Sequence, residues 1–140
     1  MESTLIENDF RIQNRSSEAV DQGVLFNPFV TPVDDRPTFY LGFHRPNSVT
    51  GFANRTTTLY FRVPETLYQR SIDVHLSEEG PPVVTWEYWN GYQWTRLGVR
   101  DETLNLSRRG LLTFVGPSDF RASIEFFQDA FWLRAIWERG

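Results

Sequence analysis

The strongest structural signal in this chain lies in residues 83–99, which read VVTWEYWNGYQWTRLGV. An Asn-Gly dipeptide between two runs of β-branched and aromatic residues is typical of a β-hairpin with a tight turn. The segment therefore predicts one strand over residues 83–89 and a return strand over residues 94–99, joined around Asn90 and Gly91.

The length of the hairpin loop sets which aromatic side chains face each other, and the sequence leaves two alternatives open. A two-residue loop places Trp89 opposite Tyr92, whereas a four-residue loop over residues 90–93 places Trp89 opposite Trp94. In both registers, neighbouring residues of a strand point to opposite faces of the sheet. The aromatic side chains of the hairpin therefore cannot all enter one core.

Alternating apolar and polar residues continue on both sides of the hairpin. Such alternation is typical of strands with one buried face, and eight prolines and nine glycines interrupt it at intervals that suit turns. The pattern predicts further strands at residues 38–44, 57–63, 71–76, 111–115, 123–127 and 131–138. In the last segment the residues that share one face are Phe131, Leu133, Ala135 and Trp137.

Length and composition limit the fold class. The 140 residues suffice for one domain, 16% of them are aromatic, and lysine, a good helix former, is absent. We predict an all-β protein, an antiparallel two-sheet β-sandwich of jelly-roll-like form with eight or nine short strands. Residues 24–140 form this single domain. Residues 1–23 are a polar lead-in, either flexible or ordered by a partner, with a short edge strand around Phe10 and Ile12 as the alternative.

Composition also excludes several classes of function. The chain has no cysteine, which excludes disulfide scaffolds and thiolate metal sites. Its net charge of −4 argues against nucleic acid as the partner. Its apolar runs are far shorter than the roughly 20 residues that span a bilayer, and its acidic first ten residues are unlike a signal peptide. We therefore expect no membrane insertion and no signal peptide.

An ordered series of aromatic-rich motifs runs through residues 37–140, about three quarters of the chain. The motifs are PTFYLGF at 37–43, TLYF at 58–61, TWEYWNG at 85–91 followed by Trp94 and Leu97, DET at 101–103, RGLLTF at 109–114 followed by Pro117 and Asp119, and FWLRA at 131–135. In this order they resemble the strands of baseplate assembly proteins of contractile phage tails and phage-tail-like contractile injection systems.

The resemblance implies a structural function. A chain of this family is a non-enzymatic module of a baseplate and acts through protein–protein contacts with other baseplate or tail subunits. It is made in the cytoplasm and incorporated into a phage-tail-like particle, which is a virion or an injection apparatus. None of the motifs is a catalytic signature.

Five residues are candidates for contact with a partner. Trp89, Tyr92 and Trp94 belong to residue types that dominate interface hot spots, and Arg108 and Arg109 form a local basic cluster in an acidic protein. The same three aromatic residues are also suited to stacking on a sugar ring, which supports a carbohydrate-binding, lectin-like adhesion module as the alternative function. A third interpretation is cross-strand packing that only stabilises the hairpin.

Enzymatic hydrolysis needs two carboxyl groups at a suitable separation. Glu87 projects from a predicted strand beside aromatic residues, and Glu65 or Glu125 would have to be its partner. No spacing in the sequence indicates that such a pair meets, so we expect no catalytic residue and no cofactor.

A metal site is also not expected. Asp73 and His75 share one face of a predicted strand, but a metal needs three or four converging ligands. Residues 101–103 lack the alternating oxygen ligands and the central glycine of a calcium loop. We expect the acids of this segment to accept hydrogen bonds from backbone N–H groups of a turn.

Overall fold

The computed structural model describes residues 3–8, 11–14, 36–44, 51–63, 83–125 and 128–138. Every regular element in these ranges is a β-strand, which confirms the all-β prediction. The strands are β1 (Ser3–Asn8), β2 (Arg11–Asn14), β3 (Thr38–Phe43), β4 (Thr56–Phe61), β5 (Val83–Trp89), β6 (Trp94–Arg96), β7 (Arg100–Asp101), β8 (Gly110–Val115), β9 (Ala122–Glu125) and β10 (Gln128–Glu138).

The described residues thus form ten strands, more than the eight or nine that the sequence predicted. Two of the additional strands, β1 and β2, lie within the predicted lead-in, where they pair with each other and β1 pairs with β3. A third, β7, forms because the return strand of the hairpin ends at Arg96 and the chain then crosses to another sheet. The predicted strand at 71–76 lies outside the described residues, as do Asp73 and His75.

The strands form two sheets in which every described pair is antiparallel. The larger sheet has the order β2-β1-β3-β10-β5-β6, and β9 also pairs with β10. The smaller sheet has the order β4-β8-β7. These two sheets confirm the β-sandwich prediction, whereas the jelly-roll winding stays a prediction.

The main core lies between the two sheets and is built from the side chains that alternate toward it. The larger sheet contributes Phe39, Leu41, Phe43, Val84, Trp86, Tyr88, Phe131, Leu133 and Ala135. The smaller sheet contributes Leu112 and Phe114, and the connections contribute Leu97 and Phe120. All are apolar or aromatic and less than a tenth exposed, so their burial is the main source of stability.

The opposite face of the larger sheet carries a second buried group, which we call the outer cluster. It consists of Tyr40, Ala130 and Trp132, with Trp89 and Trp94 packed against them. Trp132 is fully buried, and its indole Nε1 donates a hydrogen bond to the carbonyl O of Ser123 at 3.0 Å. Both faces of β10 are therefore buried. The sequence pattern had assigned only one buried face to this strand, the face that carries Phe131 and Leu133.

A loop with unusual backbone geometry joins β7 to β8. The φ angles of Leu104, Asn105 and Leu106 are 50°, 59° and 58°, in the left-handed region that non-glycine residues rarely adopt. The carboxylate of Asp101 holds this turn, since it accepts hydrogen bonds from the backbone N of Thr103 at 2.7 Å and of Asn105 at 2.8 Å. The prediction that an acid of this segment satisfies turn N–H groups is confirmed.

Candidate functional site

The hairpin adopts the four-residue loop of the two alternatives. Trp89 pairs with Trp94, and the backbone N of Asn90 donates to the carbonyl O of Gln93 at 3.2 Å. The side-chain Oδ1 of Asn90 accepts hydrogen bonds from the backbone N of Tyr92 and of Gln93, both at 2.9 Å. The Asn90 carboxamide thus supplies two acceptor contacts inside the turn and selects the longer loop.

The two tryptophans of the predicted site lie together in the outer cluster. Their rings meet edge to face, with centroids 5.5 Å apart. The guanidinium carbon of Arg134 lies 4.4 Å from the centroid of the Trp94 ring. The ring of Tyr40, in β3, also contacts the Trp94 ring, with centroids 5.8 Å apart. Both indoles are half-buried. Cross-strand packing therefore accounts for their position.

Arg134 also pairs with the acid that hydrolysis would require. Its Nε and Nη2 atoms both contact Oε2 of Glu87, whose side chain is 20% exposed. A carboxylate held in this way serves as an ion-pair partner on the sheet. Glu65 and the side chain of Glu125 lie outside the described part of the chain.

Tyr92 differs from the two tryptophans because it points away from the protein. Its side chain is 92% exposed at the tip of the hairpin. It borders an open hollow of about 390 Å³, which we call the tip hollow and which is lined by Asn90, Gly91, Tyr92, Asp119 and Arg121. Only one of these five residues, Tyr92, was among the contacts predicted from the sequence.

Asp119 and Arg121 form the polar wall of the tip hollow, opposite Tyr92, and hydrogen bonds hold them in place. The Tyr88 hydroxyl donates to Oδ1 of Asp119 at 2.7 Å. The Nη1 atom of Arg121 donates to the carbonyl oxygens of Ser118 at 3.1 Å and of Phe120 at 3.2 Å. A carboxylate and a guanidinium are thus fixed beside an exposed aromatic ring. No local sequence signal could have joined them to the hairpin, because the turn that carries them follows β8.

The buried hydroxyl of Tyr88 makes the stability of the fold depend on pH. Burial first, then the hydrogen bond to Asp119 and its negative charge, raise the pKa of Tyr88 above 10.0. The unfolded chain releases this proton near pH 10, whereas the folded chain keeps it to a higher pH. The folded state therefore binds more protons in that range, and its stability falls as the pH rises above about 10.

We expect Tyr88→Phe to reduce this alkaline loss of stability. At pH 7 the variant loses one hydrogen bond, a cost of about 1 kcal/mol. The measurement is the denaturant midpoint of both chains between pH 8 and pH 11. The difference between the midpoints of the unaltered chain and of Tyr88→Phe should narrow above pH 10, because only the unaltered chain loses stability there. A constant difference would contradict the raised pKa of Tyr88.

The predicted arginines lie at the other sheet. Arg108 and Arg109 are exposed and directly precede β8, and Nε of Arg108 donates to the carbonyl O of Glu102 at 2.9 Å. Arg62 is also exposed and directly follows β4, and it lies at the same end of the sheet because Phe61 pairs with Gly110. We call Arg62, Arg108 and Arg109 the arginine rim.

The arginine rim borders an exposed sheet surface that the sequence did not single out. This surface, the small-sheet face, consists of Thr56, Thr58, Tyr60, Leu111, Thr113 and Val115. Tyr60 is 63% exposed and pairs with Leu111, which is 39% exposed. The hydroxyls of Thr58 and Thr113 are 3.2 Å apart across the strands. No member of this face carries a charge, so its desolvation is inexpensive compared with that of a charged surface.

Within the described part of the chain, no group of three or more His, Cys, Asp or Glu residues is placed to hold a metal ion. Also within those ranges, no helix has the length and hydropathy that crossing a membrane requires.

Two comparisons with known proteins found no relative. No protein-family model matches the chain, and a search of curated proteins found no match. Its function is therefore inferred from its residues, their geometry and the motif resemblance.

Proposed function

We propose that this chain is a structural module of a phage-tail-like baseplate and binds a neighbouring baseplate or tail subunit through its small-sheet face. It is made in the cytoplasm and acts as part of the assembled particle. Its work is protein–protein contact, with no catalytic residue, metal or cofactor. We expect the full chain to follow jelly-roll winding.

The observation that carries this proposal is the chemistry of the small-sheet face. Tyr60, Leu111 and Val115 are exposed there by 63%, 39% and 59%. Large apolar side chains grouped on one surface are typical of interaction sites, and tyrosine is enriched in the centres of interfaces. The β4–β8 ladder holds their backbone in place, so little conformational entropy is lost when a partner binds.

The margin of the small-sheet face also suits an interface. Arg100 and Glu102 form an exposed ion pair at 3.2 Å beside β8, and the arginine rim lies at the Gly110 end of the sheet. An apolar centre with a charged margin is the usual arrangement of protein interfaces. We therefore propose that Arg108 and Arg109 make the partner contact expected of them from this margin of the small-sheet face.

The motif resemblance supports the same proposal. Its stretches at 37–43, 58–61, 85–91, 109–114 and 131–135 coincide with strands or parts of strands in both sheets. The resemblance is thus carried by the framework of the sandwich, as expected for a module whose function is to hold its place in an assembly.

The proposal predicts that Tyr60→Thr combined with Leu111→Thr prevents incorporation into particles. Threonine already occupies half of the small-sheet face and suits a strand, so folding should change little. Loss of two interface side chains should weaken binding by about 2 kcal/mol, roughly thirtyfold. The measurement is the amount of this chain in particles purified after co-expression with the tail genes that neighbour its own gene.

Tyr92→Ser is the matched control, because it removes an exposed tyrosine from the hairpin loop of the larger sheet. This variant should enter particles as well as the unaltered chain does. Equal incorporation of the double variant and the control, or the absence of tail genes beside the gene for this chain, would contradict the proposal.

A further inference from the structure

The tip hollow lies at the hairpin loop of the larger sheet and takes no part in the proposed function. Its volume of about 390 Å³ falls within the usual range of small-molecule sites and is sufficient for one sugar ring. We propose that the tip hollow binds a neutral hexopyranose, the six-membered ring form of an uncharged sugar.

Tyr92 supplies the stacking surface. Its ring is 92% exposed, while its backbone N is bound to Oδ1 of Asn90 at 2.9 Å. The ring therefore extends from a fixed turn, and a ligand that stacks on it loses little loop entropy. Large aromatic rings with a polar atom are common in binding sites because they offer contact area with few rotatable bonds.

Asp119 and Arg121 supply complementary polar contacts. Tyr88 occupies Oδ1 of Asp119, so the second carboxylate oxygen is left to accept a hydrogen bond. Arg121 uses Nη1 for the carbonyl oxygens of its own turn, and its Nη2 is left to donate. A carboxylate only accepts and a guanidinium only donates, whereas a hydroxyl does both. Two adjacent hydroxyls of a sugar can therefore satisfy both groups.

The charges of these two groups favour a neutral ligand. Asp119 and Arg121 carry opposite charges on the same wall, so the tip hollow has no net charge. A carboxylate on the sugar would be attracted by Arg121 but repelled by Asp119, and an ammonium group would meet the reverse. In each case the repulsion offsets part of the attraction. A ring that carries hydroxyls alone meets neither penalty.

The hollow is also preorganised by a close approach of two loops. Gly91 has a φ of +98°, and a side chain there would meet Cγ of Arg121 at 3.4 Å. The backbone N of Arg121 donates to the carbonyl O of Trp89 at 3.3 Å, which ties the turn that carries Asp119 to the hairpin. The backbone turn that carries Tyr92 and the polar wall are thus held in one arrangement.

The test measures binding of methyl glycosides of glucose, galactose and mannose by saturation-transfer NMR and calorimetry, with glucuronic acid as the charged comparison. We expect at least one neutral glycoside to bind saturably, with a dissociation constant on the order of 1 mM, and glucuronic acid to bind more weakly. Tyr92→Ala should weaken binding about tenfold or abolish it. Asp119→Asn should do the same while still accepting the hydrogen bond from Tyr88.

Tyr60→Thr is the control, because it removes the exposed tyrosine of the small-sheet face and should leave sugar binding unchanged. The proposal is overturned if no neutral glycoside binds, if glucuronic acid binds most tightly, or if Tyr92→Ala binds as the unaltered chain does. Because Tyr92 lies in the hairpin loop of the larger sheet and Tyr60 in a strand of the smaller sheet, loss of sugar binding and loss of particle assembly are independent outcomes.

Discussion

Replacing Gly116 by alanine should destabilise the folded chain by about 3 kcal/mol or more, a large share of the stability of a domain of this size. Gly116 follows β8, where its N–H donates to the carbonyl O of Arg55 at 2.8 Å and its carbonyl accepts from the N–H of Asn54 at 2.7 Å. These bonds draw the turn before β4 onto the glycine. A Cβ atom at this position would collide with the carbonyl O of Phe52.

The obstacle is backbone, so a change of rotamer cannot relieve it. Either the hydrogen bonds to Asn54 and Arg55 break, or the end of β8 moves away from β4. Thermal and urea unfolding of Gly116→Ala measure the cost. The matched control is Gly98→Ala, because a Cβ at Gly98 meets nothing within 4 Å and the change should alter stability by less than about 1 kcal/mol. Similar stabilities of the two variants would show that the close approach at Gly116 is wrong.

Trp132→Ala should cost a similar amount, about 3–5 kcal/mol, although Trp132 lies on the outer face of the larger sheet. Its side chain is fully buried and its Nε1 is bonded to the carbonyl O of Ser123. The substitution removes the largest member of the outer cluster and leaves a cavity beside Tyr40 and Ala130. The cost of such a cavity adds to the lost burial of the indole.

Leu133→Ala provides the comparison on the inner face of the same strand, with an expected cost of about 2–5 kcal/mol. Chemical denaturation of both variants therefore tests whether the two faces of β10 are equally essential. A cost below about 1 kcal/mol for Trp132→Ala, with a full cost for Leu133→Ala, would mean that the outer cluster contributes no second core.

Much of the strand pattern could be predicted, because alternation is a local property. The strand at 83–89 has the predicted bounds, and β3, β4, β8 and β10 lie within three residues of prediction at each end. The hairpin register was not predictable, because Asn-Gly fits both loop lengths. Its choice depends on where the Asn90 carboxamide finds donors and on the contact between Trp89 and Trp94.

The candidate sites were predictable only in part. Tyr92 was expected as a contact residue and is exposed, but Asp119 and Arg121 join it from a distant turn that no spacing connects to the hairpin. Tyr60 lies in the strand predicted at 57–63, but its place on the small-sheet face depends on pairing with Leu111 across β4 and β8. Both sites are assembled by long-range pairing, which local patterns do not encode.

The amino-acid sequence by itself determined that the chain forms antiparallel sheets, because the period of two and the turn residues are set within each segment. Only the tertiary structure decided which sheet faces are covered. Trp132 and Tyr60 both lie on faces turned away from the main core, yet Trp132 is fully buried and Tyr60 is 63% exposed. Alternation assigns a residue to one of two faces, but burial depends on what packs against that face, and those contacts come from residues distant in the chain.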